Sequence, residues 1–158
     1  MMIFLRGLNN AAEARSEGDN SRADDYLRRV LETLDLSEFS QANRLPRGTQ
    51  LARTLKEDVI DKFALIDYTL IPAYDEGPPF DLLVSPAGRR TTLARNQAGQ
   101  WQFTADSISQ ISAVAAEFES RERIEGVTSL DALVPTSELI VRRLPDWMKR
   151  QTLTLYLY

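Results

Sequence analysis

Apolar positions in the first sixty residues recur at steps of three and four, the period of a helix with one buried face. Phe4, Leu8, Ala11, Ala12 and Arg15 share such a face and predict a helix over 2–17. Gly18 suits the residue just past its end, and Asp19, Asn20 or Ser21 suits the cap of the next helix. That helix is predicted over 21–34, with Ala23, Tyr26, Leu27, Val30, Leu31 and Leu34 as its stripe. The short link after Gly18 favours an antiparallel pair. Leu34-Asp35-Leu36-Ser37 ends the second helix, and a loop holding Pro46 and Gly48 follows. A third helix is predicted over 48–63 through Leu51, Ala52, Leu55, Val59 and Phe63.

The texture then changes. Pro72, Gly77, Pro78 and Pro79 break any helix. Three short runs follow, Phe80–Val84, Arg90–Arg95 and Trp101–Thr104, separated by the turn sequences Pro86-Ala87-Gly88 and Gln97-Ala98-Gly99. Short apolar runs alternating with turn residues predict an antiparallel three-stranded meander. Thr104 or Asp106 can cap a fourth helix whose Ile108, Ile111, Ala115 and Phe118 share a face. Residues 121–141 read as linker, with a short helix near Leu130–Val134, and Pro145 opens a terminal segment. The predicted class is α+β: antiparallel helices first, then a small antiparallel sheet and further helices. A single soluble domain is expected over 1–141, with 142–158 as a connector.

Composition narrows the chemistry. With 158 residues, 43% hydrophobic and 27% charged, the chain has the makeup of a folded domain with a sizeable core. A net charge of −4 repels a phosphate backbone on average. The pairs Arg28-Arg29, Arg89-Arg90 and Arg142-Arg143 are too dispersed to form a basic stripe, so no nucleic-acid partner is expected. The sequence holds no histidine and no cysteine. That excludes His-based triads, thiol nucleophiles, disulfides and Cys/His zinc sites. Met1-Met2-Ile3-Phe4-Leu5 is too short for a signal-peptide core, and no window of about 18 apolar residues is present to span a bilayer. A secreted parent would carry its targeting signal ahead of residue 1.

Carboxylates are the remaining acid–base candidates. Asp24-Asp25, Glu57-Asp58 with Asp61, and Asp75-Glu76 form local clusters. Glu57 and Asp61 lie four apart, on one face of the third helix, where two carboxylates suit a hard cation. The plainer reading is a solvated face beside Lys56 and Lys62. Ser85, Ser107, Ser109 and Ser112 have no histidine or Ser-x-x-Lys partner to activate them. Gly88-Arg89-Arg90 lacks Walker spacing and suits a hairpin tip. Trp101 and Phe103 alternate onto one strand face and belong to the core, with an aromatic binding platform as the lesser reading. No catalytic, cofactor or metal residue is assigned, and the expectation is a non-enzymatic domain.

The terminal segment leaves two readings open. Leu144-Pro145-Asp146-Trp147-Met148 followed by Lys149 and Arg150 suits a helix approaching a membrane–water boundary. Leu153, Leu155 and Leu157 alternating with Thr154, Tyr156 and Tyr158 suit a terminal strand or an amphipathic surface segment.

Five segments in order carry a family likeness. They are Phe4-Leu5-x-x-Leu8-Asn9-x-Ala11; Leu34-Asp35-Leu36-Ser37; Arg47-Gly48-x-x-Leu51-Ala52-x-x-Leu55-Lys56 up to Val59-Ile60-Asp61; Gly99-Gln100-Trp101-x-Phe103-Thr104-x-x-Ser107-Ile108-x-x-Ile111; and Leu144-Pro145-x-Trp147-Met148. Together they resemble the N-terminal extracytoplasmic domain ahead of the membrane helices in some bacterial small-conductance mechanosensitive ion channel (MscS) family proteins. The resemblance implies a domain on the periplasmic side of the inner membrane, attached to a channel domain of the same polypeptide that lies downstream. It implies a homo-oligomeric parent, expected to be a heptameric ring. It carries over no pore residue, because no position here corresponds to the pore helix. One alternative of another class is a free-standing α+β binding or protein-interaction module, including a cone-shaped fold holding a small apolar ligand between helices and sheet.

Overall fold

The stripes of the first half fold into helices α1 (Met2–Ser16) and α2 (Asn20–Leu31) in the computed structural model, which describes residues 1–63 and 77–134. Gly18 takes φ +84°, a left-handed conformation that most side chains disfavour, and so reverses the chain after α1. Asp19 caps α2, its carboxylate accepting from Arg22 N at 3.0 Å. Gly7 then lets the two helices close up: a Cβ there would lie 2.5 Å from Val30 Cγ2.

The third helix departs from its predicted start. α3 spans Gln41–Thr54 and so includes Pro46, which the sequence pattern assigns to a loop. Residues 41–47 are all exposed, which gives water access to the carbonyl that the missing N–H of Pro46 leaves unpaired. An apolar period cannot reveal turns that bury nothing. α3 buries its second half, from Gly48 onward, and a Cβ on Gly48 would stand 2.7 Å from Leu31 Cδ2 and 2.8 Å from Leu36 Cδ1. The helix then widens into a π-turn (Leu55–Val59) and tightens into a 3₁₀ turn (Ile60–Lys62).

Strands β1 (Phe80–Val84), β2 (Arg90–Arg95) and β3 (Trp101–Phe103) form the antiparallel meander, in the order β1-β2-β3. The β1–β2 register slips between Asp81 and Leu83, and this bulge lets both Leu82 and Leu83 be buried. Beyond β3 the sheet is joined to the helices by backbone. Phe103 N donates to Thr33 O (2.8 Å) and Asp35 N donates to Phe103 O (2.9 Å), a parallel bridge between Leu34 and Phe103 that occupies the strand's outer edge. Gln102 Nε2 adds a bond to Glu32 O at 2.8 Å, so its outward polar side is used as well.

Helix α4 (Ala105–Glu117) starts at the Thr104 cap, one of the two caps expected. Ser107 beside it accepts from Thr92 N at 2.8 Å and ties the helix to β2. The core lies between the helices and the sheet. Phe4 meets Phe103 edge-on at 5.2 Å, Phe63 meets Phe118 at 6.0 Å, and Leu8, Leu55, Leu93 and Ile111 fill the space around them. A 3₁₀ turn (Asp131–Leu133) stands where the short helix near Leu130–Val134 is expected, and it packs on α1. Asp75-Glu76, Pro72, the expected end of the domain at 141 and the whole of 142–158 lie outside the described residues.

Candidate functional site

The polar segment that ends α3 is the most unusual part of the fold. An α-helix would place Glu57 and Asp61 on one solvated face, yet both are buried, at 1% and 5% exposure. Arg53 and Lys56 are buried beside them. The physical reason is the π-turn. Ile60 N–H reaches back to Leu55 O, five residues away, so residues five apart come into line. Lys56 therefore meets Asp61, with Nζ donating to Oδ2 at 2.8 Å, and Glu57 is left to find other partners.

Those partners come from the chain after α4. Leu130 N donates to Glu57 Oε1 at 3.0 Å, and Arg123 Nη1 approaches the same oxygen at 3.4 Å. Arg53 Nε faces Oε2 at 3.7 Å. Lys56 Nζ also donates to Thr128 O at 3.1 Å, and Ile124 N donates to Asp61 O at 2.7 Å. At the rim, Asp58 pairs with Lys62 and Arg123, each at 3.8 Å. A buried carboxylate without a cation would be driven to give up its charge. Here Glu57 and Asp61 are each matched to a cation of the protein itself, which disfavours the hard-cation reading. Among the described residues, no group of three or more acidic side chains is placed to hold a metal ion. The solvated-face reading is corrected too: the carboxylates are interior, and 121–134 is a docked strap rather than a free linker.

The other candidates take structural places. Asp24 pairs with Arg15 at 2.7 Å and Asp25 with Arg28 at 2.8 Å. Gly88-Arg89-Arg90 is a hairpin tip, with Gly88 at φ +80° and Arg89 O accepting from Ser85 N. Glu117 at the end of α4 holds that tip, accepting from Ala87 N at 2.8 Å and pairing with Arg89. The Ala87 N–H, followed by the Ser85 side chain and the Arg89 guanidinium, favours the charged form and lowers the Glu117 pKa from its ordinary value. Phe103 is a core residue, and Trp101 packs on the core with Arg95 over its ring at 5.7 Å. The Ser107 and Ser85 oxygens accept from backbone amides, and their hydroxyls also face Thr104 and Glu117.

Two clefts flank α3. One of about 580 Å³ opens between the ends of α2 and β3 and the first turns of α3, with Arg28, Asp35, Arg44 and Leu45 on its walls. The other, about 380 Å³, lies on the far side, floored by Leu27, Arg53 and Leu133 and edged by Arg15 and Arg47. Leu45 borders both. Neither cleft was legible in the sequence, because the exposed turns that form their common wall carry no apolar period.

Among the described residues no helix is long and apolar enough to cross a membrane. Compared with family models, with curated proteins and with solved structures, this chain finds no match.

Proposed function

We propose that this chain is a non-enzymatic accessory domain of a mechanosensitive ion channel of the small-conductance (MscS) type. It stands on the periplasmic side of a bacterial inner membrane and is joined to a channel domain of the same polypeptide, in a homo-oligomeric parent. One observation carries the reading. Four of the five segments that bear the family likeness lie among the described residues, and these are neighbours in space: Leu34 and Asp35 run beside Phe103, Leu36 abuts Gly48, and Phe4 meets Phe103. Phe4, Leu8, Leu51, Leu55, Phe103, Ile108 and Ile111 join one core cluster. The pattern is thus a packing framework, as expected of a domain recognised by its fold rather than by catalytic groups. The reading is also supported by the acidic cluster, whose charges are spent on internal pairs.

In this reading the domain acts through contacts that differ between closed and open channel states, since only a differential interaction can shift a gating equilibrium. The test is the downstream gene sequence followed by recording. An apolar stretch of about 20 residues soon after Tyr158 is expected. So is a tension-activated conductance from the full-length protein in membrane patches, whose threshold moves when 1–141 is deleted. A soluble enzyme domain downstream, with no such stretch, overturns the proposal.

A second reading, a free-standing α+β binding or protein-interaction module, is favoured by the two clefts beside the exposed turns of α3. Specific capture of a partner by the isolated chain, lost on Leu45→Asp, would favour it over the channel reading.

A further inference from the structure

Among the described residues, the strap that follows α4 is held differently from the elements around it. From Glu119 to Ser129 every residue is exposed, so this stretch has almost no apolar hold on the body. It is fastened by polar groups instead, and they converge on the π-turn and the 3₁₀ turn after it: Leu130 N and Arg123 on Glu57, Thr128 O on Lys56, and Ile124 N on the backbone carbonyl of Asp61. At Leu130, Leu133 and Val134 it buries apolar side chains, and Leu130 and Leu133 are anchored in the core cluster itself. Elsewhere the same molecule joins its parts with large interlocked groups such as Phe4 and Phe103.

We propose that residues 121–129 form a releasable strap, latched by the ionic group of the π-turn, that opens as a unit while the helices, the sheet and the Leu130–Leu133 anchor stay folded. Losing one partner leaves a buried charge less well compensated and weakens the contacts that share it. Apolar contacts fade gradually by comparison. Segments with few buried apolar groups and exposed backbone bonds are the ones that open below the global unfolding limit. Its part in gating rests on the channel reading above, in which contacts of the domain differ between channel states.

The latch can be tested on the chain in solution, without membrane or partner, by native-state hydrogen exchange. The amides of Leu130, which donates to Glu57 Oε1, and of Ile124, which donates to the backbone carbonyl of Asp61, are the reporters. They are expected to exchange faster than the amides of Leu8, Leu93 and Phe103, and to share one opening rate. Arg123→Gln, at a half-exposed position, is expected to speed the strap amides at least tenfold and leave the core amides unchanged. Glu57→Gln is expected to speed them further. Should Glu57→Gln fail to fold, Arg123→Gln alone decides. Strap and core amides exchanging together at the global limit, or Arg123→Gln moving all amides equally, overturns the latch. A releasable strap on a protein with no membrane segment downstream would remove only the gating role. A fused strap on a proven channel domain would remove only the latch.

Discussion

Two junctions among the described residues are built from opposite materials. Where the helices meet the sheet, Phe103 sits among Phe4, Leu34 and Leu93, and its backbone pairs with Thr33 and Asp35. Where the strap meets α3, Arg53, Lys56 and Arg123 face Glu57 and Asp61. The first junction gains from apolar area removed from water, a non-directional effect spread over many atoms. The second sets desolvation against attraction, and its net contribution depends on every member being present. The apolar junction is therefore robust to rearrangement and costly to hollow out. The ionic one is neutral when whole and severe when halved.

The sharpest way to break that contrast is a pair of deletions. Phe103→Ala should cost about 3–5 kcal/mol of unfolding free energy in a denaturant titration, through lost transfer energy and a residual cavity. Lys56→Met should cost a similar amount, about 3–5 kcal/mol, by stranding Asp61. The difference lies in rescue. Adding Asp61→Leu to Lys56→Met should restore most of the loss, because two apolar groups replace a buried pair at little cost. A companion deletion such as Phe4→Ala should only deepen the Phe103→Ala loss. A double ionic variant as unstable as the sum of its singles would make the two junctions alike.

A smaller effect sharpens the picture at α4. Thr104→Ala removes the side-chain cap that accepts from Ser107 N, and about 1 kcal/mol is expected from thermal unfolding. The smallest concerns the hairpin tip. Glu117 is held below its ordinary pKa of 4.5, chiefly by the Ala87 N–H. A carboxylate whose folded pKa is depressed stabilises the protein fully above the unfolded pKa and loses that contribution as pH falls through the folded one. Stability should therefore decline from about pH 5 downward, and Glu117→Gln should flatten that part of the pH profile. An unchanged profile would show that the exposed tip contributes nothing measurable, as many surface pairs do.

Much of this fold was legible because its signals are local. The stripes of α1 and α2, the turn glycines at 18, 88 and 99, and the cap at Thr104 each act within a few residues. The exposed start of α3 was not legible, since it buries nothing that would leave a period. The Glu57–Asp61 spacing misled for a related reason. It presumes 3.6 residues per turn, and the wider π-turn brings Lys56 to Asp61 instead.

The sequence by itself determined the α+β order, the two helical stripes, the meander and the absence of histidine and cysteine chemistry. Period, turn residues and composition are properties of neighbouring positions, and no fold is needed to read them. Only the tertiary structure decided that the acidic cluster is interior. It takes Arg123, Thr128 and Leu130, some seventy residues along the chain, to complete an environment in which those charges can be buried. Burial of charge is a property of what surrounds it, and those surroundings arrive from a segment distant in the chain.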